Sequence, residues 1–243
     1  MRVKELWEWM VQSDRAVAFT GAGVSTDSGI PDFRGKGGVY ERYDPAKVFD
    51  LGYFCKDPEL FYRYAREELF ALMDKKPNIT HYWIGSLESE NRVMGVITQN
   101  IDMLHQRAGS QTVYPLHGSV EYSFCMECGK QYLWNQMRAI LADHSIARCD
   151  QCKGLIKPNI VFFGEMLPQK IFEASWNLGS QCDLMLVMGS SLQVYPAAQI
   201  PLVAKERGAR LVIINREETP FDSIADLVIH APLADISAWM IGS

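Results

Sequence analysis

Four cysteines in the middle of the chain restrict its fold more than any other feature of the sequence. Cys125 and Cys128 form one Cys-x-x-Cys pair, and Cys149 and Cys152 form a second pair after the linker 129–148. This spacing is typical of a tetrahedral four-thiolate zinc site, in which each pair makes a tight turn and the linker brings the two turns together. Four protein ligands leave the metal no open position for water or substrate, so the sequence predicts a structural zinc ion.

Two disulfides, or unrelated buried thiols, are the alternative interpretations of these cysteines. A disulfide framework is typical of an oxidising compartment. Charged residues from Arg2 to Glu8, however, occupy the segment in which a signal peptide would need an unbroken apolar stretch. We therefore expect a cytoplasmic protein with reduced cysteines. The remaining two, Cys55 and Cys182, have apolar surroundings and are expected to be buried packing residues.

Composition and charge exclude several classes of function. The chain has 243 residues, of which 48% are hydrophobic and 22% are charged. No apolar run approaches the roughly 18 residues that a membrane span requires, so no membrane partner is expected. The net charge of −5 gives no support to direct nucleic-acid binding, which needs a basic face. It is compatible with a basic protein substrate.

Short apolar runs alternate with helical segments along most of the chain. Six runs predict strands, at 17–20, 93–98, 160–163, 184–188, 211–215 and 227–230. Because these runs are apolar, they suit a parallel sheet that is covered on both faces. The intervening helices are predicted at 5–11, 81–90, 168–178 and 196–207. We expect Pro201 to bend the last of them.

Two segments interrupt this alternation, a helical stretch with a GKGG loop and the cysteine-containing stretch. We therefore predict an α/β fold in which a Rossmann-like parallel-sheet domain carries a smaller zinc-binding lobe made of two insertions. The predicted boundaries place residues 1–33, 79–120 and 158–243 in the sheet domain, and residues 34–78 and 121–157 in the small lobe. A cleft between them is the expected site.

The first predicted strand runs directly into a glycine-rich loop. Glycines here let the backbone approach a phosphate, so Gly21, Ala22, Gly23 and Thr26 are candidate cofactor-binding residues. A dehydrogenase fingerprint would have a third glycine where Thr26 stands, and an acidic residue at the end of a second strand. Hydride transfer is therefore disfavoured, while a glycine-rich turn without a ligand remains the alternative.

The glycine-rich loop is the first of six separated motifs that occur in the order seen in sirtuins. The motifs are GAGVSTDSGIPDFRG at 21–35, TQNIDMLH at 98–105, LHG at 116–118, the two Cys-x-x-Cys pairs, NIVFFGE at 159–165 and GSS at 189–191. The chain resembles a bacterial or archaeal sirtuin along almost its whole length. This resemblance implies an NAD-dependent protein lysine deacetylase, which consumes NAD⁺ and acts on an acetyl-lysine protein or peptide.

Residues after the second predicted strand are assigned to the nicotinamide half of NAD⁺. Asn100 and Asp102 lie where ligands of open α/β sheets bind, although either one could cap the next helix instead. The resemblance implies that they line the nicotinamide–ribose pocket with Gln99, and that Asp102 and the Ile101 backbone hold the carboxamide. We assign Asn100 a catalytic role as well.

His117 and His105 compete for the role of general base. His117 follows the apolar run 113–116 and precedes Gly118, which leaves its ring room at a strand end. His105 lies in a predicted helix, where a packed or surface histidine is expected. A near-neutral intrinsic pKa suits a histidine to this role, and the resemblance implies His117. It would deprotonate a ribose hydroxyl after the acyl-lysine carbonyl oxygen has attacked C1′ of the nicotinamide ribose.

The remaining assignments concern the ribose and adenosine parts of NAD⁺ and the substrate peptide. Phe33 and Arg34 are expected to close over the ribose; a core aromatic and a solvated charge are the alternatives. The adenosine half is assigned to Gly189, Ser190, Ser191, Asn215 and Arg216, and an extended substrate peptide to Val161, Phe163, Gly164, Glu165 and Val194. Two other functions remain open, mono-ADP-ribosyl transfer and NAD or ADP-ribose sensing without turnover.

A helical segment of the small lobe indicates which acyl group the protein accepts. Sirtuins that accept acidic acyl groups carry Tyr-x-x-Arg there, whereas this chain has Tyr62 and Ala65 at these positions. A short uncharged acyl group is therefore expected, because a buried succinyl carboxylate would lack a cation. Arg66, one residue further on, is the alternative cation.

Overall fold

The computed structural model describes residues 2–35 and 37–242. Its strands are β1 (Ala16–Thr20), β2 (Val93–Thr98), β3 (Val113–Pro115), β4 (Gly118–Cys125), β5 (Gln131–Leu133), β6 (Ile156–Ile160), β7 (Leu184–Met188), β8 (Arg210–Ile214) and β9 (Leu227–Ile229). Its α-helices are α1 (Arg2–Gln12), α2 (Val39–Arg42), α3 (Pro45–Val48), α4 (Leu51–Lys56), α5 (Glu59–Tyr64), α6 (Ile79–Ser89), α7 (Leu104–Arg107), α8 (Trp134–Asp143), α9 (Gln169–Gln181), α10 (Gln199–Glu206) and α11 (Leu233–Ile241). A π-helical turn (Ala65–Leu69) and two 3₁₀ segments (Ala22–Ser28 and Phe70–Asp74) complete the helical structure.

A six-stranded parallel sheet, of order β3-β2-β1-β7-β8-β9, forms the larger part of the molecule. Its central strands β1 and β7 are buried along their whole length, as a sheet covered on both faces requires. Ala16 and Ala18 pack in a core with α1, α6 and α11. Val17 and Phe19 pack in a second core with α9 and α10. The predicted Rossmann-like domain is therefore confirmed.

A smaller antiparallel sheet, of order β5-β4-β6, shares one core with the helical segment 39–74. The ring of Phe162 lies 5.5 Å from that of Phe54 and 5.0 Å from that of Phe61, between ring centroids. Ile156 of β6 is fully buried in the same core. Two insertions that are distant in sequence therefore pack as one small lobe, as predicted.

Asn78 fixes the beginning of α6 through a reciprocal cap. Its side-chain oxygen accepts from Thr80 N–H at 3.0 Å and from His81 N–H at 3.4 Å. In return, His81 Nδ1 accepts from Asn78 N–H at 3.3 Å. The sequence analysis placed the helix start two residues late, because histidine takes the position that glutamate or glutamine usually fills in this cap.

The prediction of a parallel-sheet strand at 160–163 was wrong. β6 ends at Ile160 and pairs antiparallel with β4 in the small sheet. Phe162 is buried in the core of the small lobe, and Phe163 N–H donates to Phe49 O at 2.7 Å. The apolar run therefore fills the small-lobe core, and the short edge strand β3 supplies the sixth strand of the main sheet.

Two local expectations were also wrong. α10 begins at Gln199, so Pro201 lies in its first turn, where a missing N–H removes no intrahelical hydrogen bond. Cys55 is exposed, because α4 buries Phe54 and directs the next residue outward, whereas Cys182 is buried as expected. Among the helices of the described residues, none has the length and apolar character that a membrane span needs.

Gly118 occupies the tightest point of the small sheet, where β4 begins opposite the end of β6. It has a left-handed backbone conformation, with φ of 80°. A Cβ atom at this position would lie 2.0 Å from Asn159 O and 3.2 Å from the Ile160 Cα. Since both contacts are with backbone atoms, a side chain here would have to separate the two strands.

We expect Gly118→Ala to lower the free energy of unfolding by about 3 kcal/mol or more, because steric overlap adds to left-handed strain. Gly109→Ala is the matched control, since Gly109 also has a positive φ, of 105°, but open space around its Cβ position. The control substitution should lower the free energy of unfolding by about 1 kcal/mol. Urea denaturation measures both values, and equal losses would contradict the proposed backbone clash.

Candidate active site and metal centre

The four predicted zinc ligands converge in the small lobe. All four sulfur atoms lie within 4.8 Å of one another. Cys125 Sγ is 3.3 Å from Cys152 Sγ, and Cys128 Sγ is 3.7 Å from Cys149 Sγ. A zinc–sulfur bond of about 2.3 Å in a tetrahedron puts sulfur atoms about 3.8 Å apart. All six cysteines are free thiols, so the arrangement fits structural zinc and not a disulfide.

The two cysteine pairs have the same backbone geometry. Cys125 O accepts from Gly129 N–H at 3.0 Å, and Cys149 O accepts from Lys153 N–H at 2.9 Å. Gly129 and Lys153 both have left-handed conformations, with φ of 72° and 65°. Tyr132 of β5 donates its hydroxyl to Cys149 Sγ at 3.1 Å. Each pair is therefore a tight turn whose backbone hydrogen bond orients its sulfur atoms.

Three loops meet at the carboxyl ends of the adjacent strands β1, β2 and β7. Gln99 Nε2 donates to Ser190 Oγ at 2.7 Å, which joins the loop after β2 to the loop after β7. Asn100 Nδ2 donates to Gly21 O at 3.1 Å, which joins it to the glycine-rich loop. Thr26 Oγ1 closes that loop by donating to Gly23 O at 3.0 Å.

The loops after β1 and β7 need glycines because their backbones contact each other directly. A Cβ atom on Gly21 would lie 2.7 Å from Gly189 O, and one on Gly23 would lie 2.8 Å from Gly189 Cα. Gly189 itself has a positive φ, of 61°. The sequence analysis attributed the glycines to the approach of a phosphate. The structure adds a second reason, which is direct contact between the backbones of the two loops.

His117 lies half-buried between the two sheets, and one of its ring nitrogens makes a hydrogen bond. Its Nδ1 is 2.9 Å from Gln99 O, and because a carbonyl can only accept, Nδ1 carries the proton. The Nε2 lone pair is then free to accept a proton. Burial lowers the pKa of His117, and the bond to Gln99 partly opposes that shift. The neutral form is therefore favoured, as a general base requires.

Ser25 connects two of the assigned cofactor residues and was missed as a site residue. Its hydroxyl donates to Asp102 Oδ2 at 2.6 Å and accepts from Asn100 Nδ2 at 3.1 Å. Asp102 Oδ1 accepts from Leu104 N–H at 2.9 Å. Burial raises the pKa of Asp102, and the bonds from Ser25 and Leu104 oppose this shift. The sequence contained a signal for this role of Ser25, because a buried carboxylate beside a Gly-x-Gly-x-Ser loop needs a nearby hydrogen-bond donor.

His81 and His105 lie behind this cluster. His81 Nε2 is 3.4 Å from Ser25 Oγ, and burial lowers the pKa of His81 to about 4. His105 is fully buried and contacts Thr20 Oγ1 through Nε2 at 2.9 Å. Burial also lowers the pKa of His105 well below its usual value. His105 is therefore a packed histidine, and His81 was not foreseen as part of the site.

The residues assigned to the ribose lid and to the adenosine half are less tightly held. Phe33 packs on Tyr40 and Phe49, with centroid distances of 5.5 and 6.0 Å. Arg34 is exposed and its guanidinium lies 5.3 Å from the Tyr40 ring centroid. In the adenosine set, Gly189 and Ser190 are buried, Ser191 and Asn215 are half-buried, and Arg216 is exposed. Ala22 of the glycine-rich loop is half-buried.

The segment assigned to the peptide begins beside His117. Val161 N–H donates to His117 O at 2.9 Å, and Phe163 O accepts from Leu51 N–H at 3.1 Å. Phe163 is 48% exposed, and Gly164 has a φ of 92°. In the part of the chain that the structure describes, the N–H and C=O groups of Gly164 make no hydrogen bond. Those groups are therefore available to a partner.

Known proteins resemble this chain in both sequence and structure. The model of the Sir2 family matches residues 21–196. An NAD-dependent protein deacetylase of Thermotoga maritima is 48% identical over 237 residues, which cover 98% of this chain and 96% of that protein. The NAD-dependent protein deacylase 2 of Archaeoglobus fulgidus is 43% identical over 96% of this chain and 92% of that protein.

Two solved structures extend this similarity to ligand complexes. A complex of Sir2 with a p53 peptide and NAD⁺ superposes with a TM-score of 0.94 at 45% identity, over 100% of this chain and 98% of that chain. Sir2Tm bound to a propionylated peptide superposes with a TM-score of 0.93 at 44% identity, over the same shares of the two chains.

We expect Cys149→Ala to lose bound zinc and to destabilise the small lobe, because metal binding to four thiolates is coupled to local folding. Cys182→Ala is the matched control, since it removes a buried thiol from the large domain. Elemental analysis should find zinc in Cys182→Ala and not in Cys149→Ala. A wild-type protein purified without chelators that contains no zinc would contradict the metal site. Turnover that changes with the identity of a substituted metal, at constant fold, would contradict its structural role.

Proposed function

Because this chain belongs to the Sir2 family, we propose that it is an NAD-dependent protein lysine deacetylase. This proposal depends most on the geometry of His117, whose Nδ1 is held by Gln99 O and whose Nε2 makes no hydrogen bond in the described residues. The proposed products are the free lysine, nicotinamide and O-acetyl-ADP-ribose. NAD⁺ supplies an anomeric carbon with a good leaving group, so a weak nucleophile suffices when it is held in line.

The protein residues have separate tasks in this proposal. His117 Nε2 accepts the proton of a ribose hydroxyl, which then captures the acyl group. Asn100 and Gln99 orient the ribose. Asp102 holds the amide of the nicotinamide carboxamide together with the Ile101 backbone. The Ile101 N–H makes no hydrogen bond in the described residues, and its C=O accepts from Val120 N–H at 3.2 Å, so the N–H is available to a ligand.

Asp102 keeps the acceptor capacity that its proposed role needs. Its two oxygens each receive one donor, from Ser25 and from Leu104. An ionised carboxylate can accept about four hydrogen bonds. The Ser25 hydroxyl is oriented toward Asp102 because Asn100 and His81 direct donors at the Ser25 oxygen. A carboxylate that is oriented in this way can bind an amide N–H without first rearranging.

We propose that the remaining assigned residues bind the phosphates and the adenosine. The glycine-rich loop, with Gly21, Ala22, Gly23 and Thr26, lies at the carboxyl end of β1. The adenosine set, with Gly189, Ser190, Ser191, Asn215 and Arg216, follows β7 and β8 at the same edge of the sheet. Ligands of open parallel sheets bind at this edge. Phe33 and Arg34 would cover the ribose from the side of the small lobe.

The acyl-lysine peptide is proposed to bind as an added strand between 161–165 and 192–195. The unpaired main-chain groups of Gly164 support this mode, and Val194 on the other side has an N–H without a hydrogen bond in the described residues. Strand addition reads mainly main-chain groups, so many sequences around the lysine should be accepted.

We also propose the domain boundaries and the location that the sequence predicts. The core shared by Phe61, Ile156 and Phe162 supports a small lobe formed by 34–78 and 121–157, with 1–33, 79–120 and 158–243 as the sheet domain. Phe162 lies beyond the second boundary, so the small-lobe core extends past it. The reduced four-cysteine cluster supports a cytoplasmic location.

Mass spectrometry of an acetyl-lysine peptide incubated with NAD⁺ tests the proposed function. We expect loss of the acetyl group and formation of O-acetyl-ADP-ribose. With His117→Ala, turnover should fall about a hundred- to ten-thousand-fold, since a general base is removed, while NAD⁺ binding survives. A gain of ADP-ribose on the peptide would indicate ADP-ribosyl transfer, and an unchanged peptide would indicate a sensor.

In the same assay, protonation of His117 should determine where kcat/KM falls toward low pH. Because burial lowers the pKa of His117, the catalytically competent neutral form persists below pH 6.5, and kcat/KM should fall only at lower pH. Activity of His117→Ala within a few-fold of wild type would contradict the assignment of the base.

We expect acetyl-lysine to be preferred strongly over succinyl-lysine in one and the same peptide. Tyr62 is fully buried and donates its hydroxyl to Ile156 O at 2.7 Å, and Ala65 is also fully buried. The guanidinium of Arg66 lies on the outer surface, where it donates to Ser145 O at 3.0 Å. None of the three offers a cation to a buried carboxylate.

Comparison of kcat/KM for the two peptides checks this expectation. Arg66→Ala is the informative variant, and it should leave both values unchanged. Succinyl turnover equal to acetyl turnover would contradict the selectivity, and its loss in Arg66→Ala would identify Arg66 as the cation.

A further inference from the structure

Lys157 and Glu165 form the most buried ion pair in the described part of the chain. Lys157 Nζ lies 2.8 Å from Glu165 Oε2, and only 11% of the lysine side chain and 27% of the glutamate side chain are exposed. Lys157 belongs to β6, and Glu165 ends the segment 161–165 that is proposed to pair with the peptide. A pair that is largely shielded from solvent is weakly screened by salt.

The pair closes a tight turn of the backbone. Glu165 Oε2 accepts from Phe162 N–H at 2.7 Å, and Glu165 N–H donates to Phe162 O at 3.0 Å. Lys157 Nζ also donates to Ile160 O at 2.6 Å and lies 4.2 Å from the centroid of the Phe162 ring. Gly164, with its unpaired main-chain groups, is the exposed corner of this turn.

We propose that Lys157 and Glu165 are positioning residues, which hold the segment 161–165 in the conformation that receives the substrate peptide. The proposal rests on the proposed deacetylase function and deepens it. It changes the role of Glu165 from direct peptide contact to support, because Oε2 of its carboxylate already accepts from Lys157 and from Phe162 N–H. Neither side chain touches the reacting atoms in this arrangement.

A positioning role predicts a specific kinetic signature. Strand addition needs N–H and C=O groups that are in place before the peptide binds. If the turn is loosened, the peptide must order the segment on binding, and this cost weakens peptide affinity. NAD⁺ is assigned to loops at the sheet edge, which Lys157 and Glu165 do not contact. The KM for peptide should therefore rise, while the KM for NAD⁺ and kcat remain near their wild-type values.

The test uses the 243-residue protein and five variants, one of which combines Lys157→Met with Glu165→Gln. Lys157→Met removes the charge but keeps an unbranched side chain over Phe162, and Glu165→Gln keeps an acceptor for Phe162 N–H. Lys157→Arg is the conservative replacement. Lys205→Met is the matched control, because Lys205 pairs with Asp226 at 2.6 Å in the large domain, away from the peptide segment. Zinc content and thermal unfolding are measured for every variant.

Lys157→Met and Glu165→Gln should each raise the KM for acetyl-lysine peptide about tenfold, with kcat and the KM for NAD⁺ within about twofold of wild type. The double variant should be no worse than the worse single variant, since both changes break one interaction. Lys157→Arg should recover most of the peptide affinity, and Lys205→Met should resemble wild type. Unchanged peptide KM in both single variants would overturn the proposal, as would an equal rise in the KM for NAD⁺.

Direct binding of a fluorescent acetyl-lysine peptide separates this proposal from the proposed function. Wild-type protein that binds the peptide without removing its acetyl group would contradict the deacetylase function alone. The dissociation constants of the variants would then still decide whether the pair positions the segment, with a rise of about tenfold expected for Lys157→Met. Absence of peptide binding by the wild-type protein would overturn both proposals.

Discussion

The close backbone contact between the glycine-rich loop and Gly189 is the constraint on which the site depends. β1 and β7 are adjacent at the centre of the sheet, and the loops that follow them can touch only because Gly21, Gly23 and Gly189 lack side chains. This contact brings Gly21 O within reach of Asn100 and places Ser190 against Gln99. The loop after β2 is thereby fixed, and with it the Gln99 carbonyl that orients His117.

Two strands connect the zinc site to this geometry: β4, which runs from Gly118 beside His117 to the ligand Cys125, and β6. β6 begins four residues after Cys152 and ends one residue before Val161, whose N–H is bonded to His117 O. Along this path Leu155 O accepts from Met126 N–H at 2.8 Å, next to the first cysteine of the site. A structural metal can therefore support catalysis without contact with substrate, because the strand that it anchors continues into the peptide-binding segment.

The fold could be predicted from sequence, and candidate site residues could be proposed from it, whereas the hydrogen bonds that connect them could not. The cysteine spacing defined the metal site because it is local. The apolar run at 160–163 was assigned to the wrong sheet, because buried strands and core loops have the same composition. Ser25 and His81 were missed for another reason. Ser25 has its role through hydrogen bonds to Asp102 and Asn100, and His81 through its contact with Ser25. All of these partners are distant in sequence.

The cluster around Asp102 shows how a buried carboxylate can stay ready for a ligand. His81 accepts from Asn78 N–H through Nδ1, so its Nε2 carries the proton that points at Ser25. Burial keeps the pKa of His81 at about 4, so this ring is neutral near neutral pH. In the described residues no ion pair involves Asp102. Arg107 acts on Asp102 only as a more distant charge, after the hydrogen bonds from Ser25 and Leu104. A carboxylate that is held mainly by such dipoles keeps a negative potential when it is ionised, and this potential attracts an N–H donor of a ligand that enters the cleft.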